Sequence, residues 1–296
     1  MAQTGKIGRQ GEIEPAGKRA RRAVRDELPA PQPVYQDRTP SLPRELKTAP
    51  FYILSGVMLF LIWQIAVILT TESARRFLVP TPAAVATRFI KLARDGTLTH
   101  HVSITLLEMG LGLALGTTVA VLLGYAVAHS TLLKYLLQPV IVVSQAVPIV
   151  ALAPLLTVWF GSGLTSKVVV CALIVFFPIL VNVMTGIESI DPRLRDLFRM
   201  LEATRFQVLL QLEVPGALPA FLSGLKVGGT LAGMGAVVGE FVSSTAGLGY
   251  LVKQGQNLYD LPMMFVAVIV LMAIATTIYT LLTLLARALL RWQQRA

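Results

Sequence analysis

The chain is poor in the groups from which most active sites are built. Cys171 is its only cysteine among 296 residues, so it can form no internal disulfide and no cysteine-based metal site. It reads as a small apolar residue within a helix. Three histidines are present, and the adjacent pair His100 and His101 would point about a hundred degrees apart on a helix, which does not suit a shared metal. They read as an interfacial pair with no special role. No G-x-x-x-x-G-K-[ST] occurs, which excludes ATP binding through a P-loop. Gly110, Gly112 and Gly116 follow no strand and sit in an apolar run, so a dinucleotide fingerprint is rejected as well. Charge is scarce too, at 14% of residues. In its place the chain is 54% hydrophobic with a mean hydropathy of +0.68, the composition of an integral membrane protein. The net charge of +10 is spread over tails and loops without aromatic interleaving, which argues against nucleic-acid binding.

Residues 1–50 hold ten Lys/Arg, six Asp/Glu and seven of the 17 prolines with no apolar periodicity. They read as a disordered cytoplasmic tail, followed by a membrane domain over 51–296. The tail has no apolar core ahead of a cleavage site, so the first span is expected to be its own insertion signal. Six spans follow, at about 51–70, 102–128, between Lys134 and Lys167, and at about 168–186, 218–242 and 263–286. The third contains or adjoins Pro139, Pro148 and Pro154, which should bend or break it and place it inside a bundle. The basic tail puts the N-terminus in the cytoplasm. Arg75, Arg76, Arg88, Lys91 and Arg94 then fall outside, against that rule, and the stretch after Thr81 or Thr87 is read as an amphipathic helix lying at the interface.

Between the fourth and fifth spans lies a charged segment, DPRLRDLFRMLEATRFQVLLQLEVPGALP, within a loop over 188–215. Asp191 and Pro192 are suited to N-cap and first turn. Leu194, Leu197, Phe198 and Leu201 share a face flanked by Arg193, Arg195, Asp196 and Arg199. Thr204 and Gln207 form a capping box for a second helix, expected to end at Val214, before Pro215. Two short helices outside the membrane, wedged between spans, suit a contact that transmits motion.

This segment resembles the coupling-loop motif of ABC importer permeases of the binding-protein-dependent type, E-A-A, three residues, G, nine residues, I-x-L-P. Asp196, Leu197 and Phe198 stand where E-A-A would be, Leu212 at the isoleucine and Pro215 at the proline. Glu202 occupies the glycine position, where glycine would permit a left-handed turn. PGALPAFLSGLKVGGTLAGMGAVVGEFV and GLGYLV continue the resemblance toward nitrate, sulfonate and taurine permeases and, most closely, the thiamine-pyrimidine and riboflavin permeases. The resemblance implies an all-α membrane fold and a coupling loop that engages a cytoplasmic ATPase in two copies. It also implies a solute-binding protein outside, a pair of permease subunits, and residence in the bacterial inner membrane. ATP would be bound by the ATPase, leaving no cofactor in this chain and no enzyme activity.

The spans carry few ionisable groups. Glu108, Lys226 and Glu240 are expected to face the interior and are candidates for the translocation pathway. Lys226 lies about 21 Å from Glu240 along a helix, too far to pair with it, and is assigned to Glu108 instead. An acidic route would oppose sulfonate or nitrate and admit a neutral or cationic heteroaromatic solute, a pyrimidine-type vitamin precursor or riboflavin. All three could equally be structural ion pairs. Glycines four apart in the fifth span, as in Gly224/Gly228 and Gly235/Gly239, suit close helix packing or a sliding pathway helix. The alternatives are a sulfonate, taurine or nitrate permease, and a self-contained secondary transporter. The second would be expected to show internal repeats and paired broken helices.

Overall fold

The computed structural model describes residues 43–70, 79–146 and 149–291. Every regular element among them is a helix. The chain divides into two compact units, Met1–Phe60 and Leu61–Ala296. In the first, helix α1 (Pro43–Leu69) begins. It starts inside the stretch assigned to the tail, because Pro43 is suited to a first turn and the residues after it are helix formers. The tail over 1–42 lies outside the described residues. Leu54, Val57 and Met58 are exposed, the usual state of an apolar helix surface that meets lipid.

The second unit contains α2 (Pro82–Arg94), α3 (Thr97–His129), α4 (Thr131–Ala146), α5 (Ile149–Phe160) and α6 (Leu164–Glu188). These are followed by α7 (Pro192–Met200), α8 (Arg205–Val208), a π turn (Leu209–Glu213), α9 (Val214–Ser243), α10 (Leu248–Asn257) and α11 (Leu261–Leu289). Four helical stretches are long and apolar enough to cross a membrane: α3, α6, α11 and the run Arg205–Ser243. The first and third expected spans correspond to shorter apolar helices, Leu54–Leu69 and Ile149–Phe160.

The third span differs from expectation. No single helix covers it: α4 carries Pro139, α5 carries Pro154, and Pro148 lies outside the described residues. It is interior on one side only. Leu132, Tyr135, Val140, Val158 and Trp159 are exposed, whereas Ile141 of α4 is buried in the main core and Ala153 and Leu156 of α5 are buried with Val170 and Ile174 of α6 and Val238 of α9.

Helix α6 is sandwiched between α3 and α9 and makes the most extensive contacts in the molecule with both. Glycines allow this approach. A methyl group at Gly116 would fall 2.6 Å from the Ala172 carbonyl oxygen, and one at Gly235 would fall 2.7 Å from the Cys171 Cα. Both obstacles are backbone, so the helices would have to separate. Gly224, Gly228, Gly235 and Gly239 all face α6, whereas Gly229 faces Leu282 and Ile278 of α11. The glycines of α9 therefore serve packing on two sides. Cys171 lies in this seam, fully buried, its thiol donating to the Ala232 carbonyl at 3.4 Å.

Helix α2 starts at Thr81, whose side chain accepts from Ala84 N at 3.2 Å. It packs into protein as well as facing outward. Val85 and Leu92 are buried with Leu98, Leu248, Leu251 and Met263, while Phe89 and Ile90 are exposed. Arg88 reaches Asp260 at 2.5 Å, which pairs one of the positive charges of this stretch.

Candidate functional site

The coupling segment forms as its caps dictate. Asp191 accepts from Arg193 N at 2.8 Å and Pro192 occupies the first turn of α7. The helix then ends in a Schellman motif. Glu202 N donates to Arg199 O at 3.0 Å and Ala203 N to Phe198 O at 3.1 Å, with Glu202 itself at φ 51°. A glutamate thus performs the left-handed turn that glycine would make more easily, and the tightness of the turn is kept. Thr204 and Gln207 form the expected reciprocal capping box at α8.

The second helix does not stop at Val214. Its α-helical register gives way at Leu209 to a π turn that runs into α9. Pro215 has no N–H and its ring would crowd the preceding turn, and a wider turn upstream accommodates both defects without ending the helix. Helix α8, the π turn and α9 are therefore one continuous helical body, joined to α7 through the turn at Glu202.

The candidate coupling residues divide between two roles. Leu197 and Leu201 are exposed, as are Leu194, Met200 and Phe206, which the motif did not single out. Asp196 is exposed and lies 3.4 Å from Arg199. Phe198 and Pro215 are half-buried, and Leu212 is buried. Leu212 is thus packed inside, while Met200, Leu201 and Phe206 form an exposed apolar surface.

Two polar ties fix the segment. The Arg195 Nη2 donates to the Ile187 carbonyl at 2.7 Å, a cation at the C-terminal end of α6 where the helix dipole favours it. Glu213, in the π turn, accepts from His129 Nε2 at 2.8 Å. The other ring nitrogen of His129 contacts the Tyr125 carbonyl at 2.9 Å, so the ring bridges α3 and the π turn. Beside this tie lies an apolar cavity of about 420 Å³ lined by Val121, Val183, Ile187, Leu209, Ala217 and Phe221 among others.

At the opposite end of α6 and α9 the structure gathers a buried polar cluster. Glu108 and Glu240 have no exposed surface. Glu108 Oε1 accepts from Lys167 Nζ at 2.8 Å, and the same ammonium donates to Ser244 Oγ at 2.7 Å. Glu240 Oε1 accepts from Thr105 at 2.7 Å. Its Oε2 accepts from Gly249 N and from Tyr250 N. Leu248 N donates to Thr105 Oγ1 and Gly247 N to His101 Nδ1, each at 2.8 Å. The opening N–H groups of α10, from Gly247 to Tyr250, are thereby satisfied by side chains of α3 and α9. Gly247 is required here: it adopts φ 116°, and a side chain would run into the Glu240 carboxyl group.

This corrects three expectations. Lys226 does not pair with Glu108; Lys167 does. The reason is axial distance: Glu108 lies beside Glu240, and Lys226 is fourteen residues, about 21 Å, back along α9. Lys226 is half-buried and forms no ion pair among the described residues. His101 is not an idle interfacial residue, since it is buried, accepts from Gly247 and stacks on Tyr250 at 5.7 Å. In the described conformation neither carboxylate faces open space, so the inference from an acidic route to solute chemistry has no support in this geometry. Lys167 escaped notice because it stood at the limit of an uncharged run and was taken as a boundary. Thr105 and Ser244 carry no charge to reveal them.

With this geometry in view, residues 112–296 match the family described as "binding-protein-dependent transport system inner membrane component". The chain is 44% identical over 237 residues to the riboflavin transport system permease protein RibX of Chloroflexus aurantiacus, covering 80% of this chain and 88% of that one. It is 33% identical over 239 residues to the formylaminopyrimidine transport permease protein ThiX of Halalkalibacterium halodurans, covering 81% and 94%. Among solved structures, an amino acid ABC transporter superposes with a TM-score of 0.54 at 20% identity, covering 68% of this chain and 98% of that chain. The fold is that of ABC importer permeases, and the chain belongs to the family of binding-protein-dependent transport system inner membrane components.

Proposed function

We propose that this permease imports a heteroaromatic solute of the flavin or pyrimidine class. The observation that supports this most is its identity to the riboflavin permease across nearly the whole of that relative. A separate ATPase in two copies binds ATP and docks on the surface formed by Leu197, Met200, Leu201 and Phe206. These are exposed apolar side chains: Leu197, Met200 and Leu201 belong to α7 and its C-terminal cap, flanked by charged residues, and Phe206 to the first turn of α8. A solute-binding protein delivers the solute at the opposite end, two copies of this chain enclose the route, and both chain ends lie in the cytoplasm.

Motion enters at α7. Because α8, the π turn and α9 are continuous, displacement of the docked segment moves α9 as a lever rather than bending a loop. Arg195 and the His129–Glu213 tie carry the same displacement to α6 and α3. Of the three ionisable residues expected along the pathway, Lys226 alone has an unpaired charge available to a solute, while Glu108 and Glu240 act in the buried cluster.

The test is uptake of labelled riboflavin into vesicles holding the permease with its ATPase and binding protein, in competition with an aminopyrimidine and with taurine. Competition by the aminopyrimidine but not by taurine is expected. Uptake of taurine in preference to both heteroaromatics overturns the solute class.

A further inference from the structure

The buried cluster at the start of α10 does not balance in charge. Among the described residues Lys167 is the single cation in contact with it, set against the two carboxyl groups of Glu108 and Glu240. His101 contributes no charge, because its Nδ1 accepts a hydrogen bond from Gly247 N and the ring proton therefore resides on Nε2. Lys253 of α10 points elsewhere, its Nζ donating to the Phe241 carbonyl at 2.8 Å. Tyr250 faces the cluster through its ring, stacked on His101, and Cys171 gives its thiol hydrogen to Ala232 O. Two ionised carboxylates in contact, with no exposed surface and one ammonium between them, would leave a buried net negative charge, which is strongly unfavourable.

The hydrogen bonds show where a balancing group belongs. Glu240 accepts three donors, the Thr105 hydroxyl and the N–H groups of Gly249 and Tyr250, so it is well served as an anion. Glu108 Oε1 is served by Lys167. Glu108 Oε2 is buried and meets no donor. Thr105, which donates to Glu240 Oε1, stands one turn before Glu108 on α3, so the two carboxyl groups are neighbours. A buried carboxylate oxygen without a donor, beside a second carboxylate, is satisfied by a hydrogen between them.

We propose that Glu108 and Glu240 form a binding site for a single proton, held on Glu108 Oε2 and donated to the Glu240 carboxylate. With that proton the set of Lys167, Glu108 and Glu240 is neutral and every polar atom in it has a partner. Glu240 remains the anion that caps α10 and, through Lys167 and Ser244, the connection between α9 and α10 is fastened to α3 and α6. The site binds the proton as a structural ligand and does not depend on the identity of the transported solute.

Infrared spectroscopy of the purified full-length permease in lipid, at neutral pH and in sodium-free choline buffer, tests this. The wild type is expected to show one carboxylic-acid C=O stretching band that resists exchange in deuterated buffer. In Glu108→Gln and in Glu240→Gln the remaining carboxylate forms a neutral pair with Lys167, so the band disappears. In Lys167→Met both carboxyl groups need a proton, so the band doubles. Glu108→Gln keeps an acceptor toward Lys167 and a donor toward Glu240, and its thermal midpoint should match the wild type while its band is gone. Absence of the band in the wild type, its persistence in Glu108→Gln, or its loss on exchanging choline for sodium would each overturn the proposal, the last by assigning the place to a cation.

Discussion

Glu202 offers a sharp test of the coupling segment, because it does a glycine's work in a glycine's place. At φ 51° a residue with a Cβ pays about 1–2 kcal/mol for the left-handed conformation. Replacing it by glycine removes that strain but adds backbone freedom to the open state, worth about 0.5–1 kcal/mol in the other direction. The balance favours Glu202→Gly by about 0.5–1 kcal/mol, a two- to fivefold smaller open population of the α7 turn. The assay is hydrogen exchange of the two amides that close the turn, at positions 202 and 203, which donate to Arg199 and Phe198. After correction for intrinsic rates, exchange should slow two- to fivefold in Glu202→Gly. Glu202→Val, with a branched Cβ in the same conformation, should speed it by a similar factor or more. Equal or faster exchange in the glycine variant would refute the assignment of strain to this residue.

Other outcomes follow from the same contacts. Met200→Ala and Leu201→Ala, or Phe206→Ala alone, should release the ATPase or uncouple its hydrolysis from uptake about tenfold or more, with normal membrane insertion, as measured by co-purification and vesicle assays. Phe198→Ala should instead lower thermal stability, since Phe198 is half-buried. Gly247→Ala combines a left-handed φ with a collision against Glu240, and a loss of about 3 kcal/mol, seen as failure to recover folded protein from detergent, is expected. Glu213→Ala removes a hydrogen bond to His129, whose side chain is 39% exposed, so the expected loss is small, about 1 kcal/mol by thermal melting, with weaker coupling of ATP hydrolysis to uptake.

The segment from Asp191 to Leu201 was legible because its caps are local. Asp191, Pro192, Thr204 and Gln207 act on neighbours a few residues away, and the structure places each as its chemistry requires. The long apolar helices α3, α6 and α11 were legible for the same reason, length and hydropathy being properties of a single stretch. The partner of Glu108 was not legible. It depends on which end of one helix meets which end of another, and Lys167 stands 59 residues away in sequence. His101 was misjudged likewise, since its partner Gly247 lies 146 residues on. The π turn was hidden because proline announces a defect without specifying its remedy: a helix can end before Pro215 or widen ahead of it, and packing of Leu212 and Glu213 into the bundle selects the second. The third span differed for a related reason: Pro139 and Pro154 are exposed, and which face of such a helix turns inward depends on neighbours distant in sequence.

The central claim is that this permease moves its solute only when an ATPase drives the α7–α9 body. The direct measurement is riboflavin uptake by vesicles containing the permease, the ATPase and the binding protein, with and without ATP on the ATPase side, and with ionophores that collapse proton and sodium gradients. Uptake that requires ATP, withstands the ionophores and is lost in the Met200→Ala, Leu201→Ala double variant is the expected result. Uptake that continues without ATP and fails when the gradients collapse would contradict the account and make the chain a self-contained transporter.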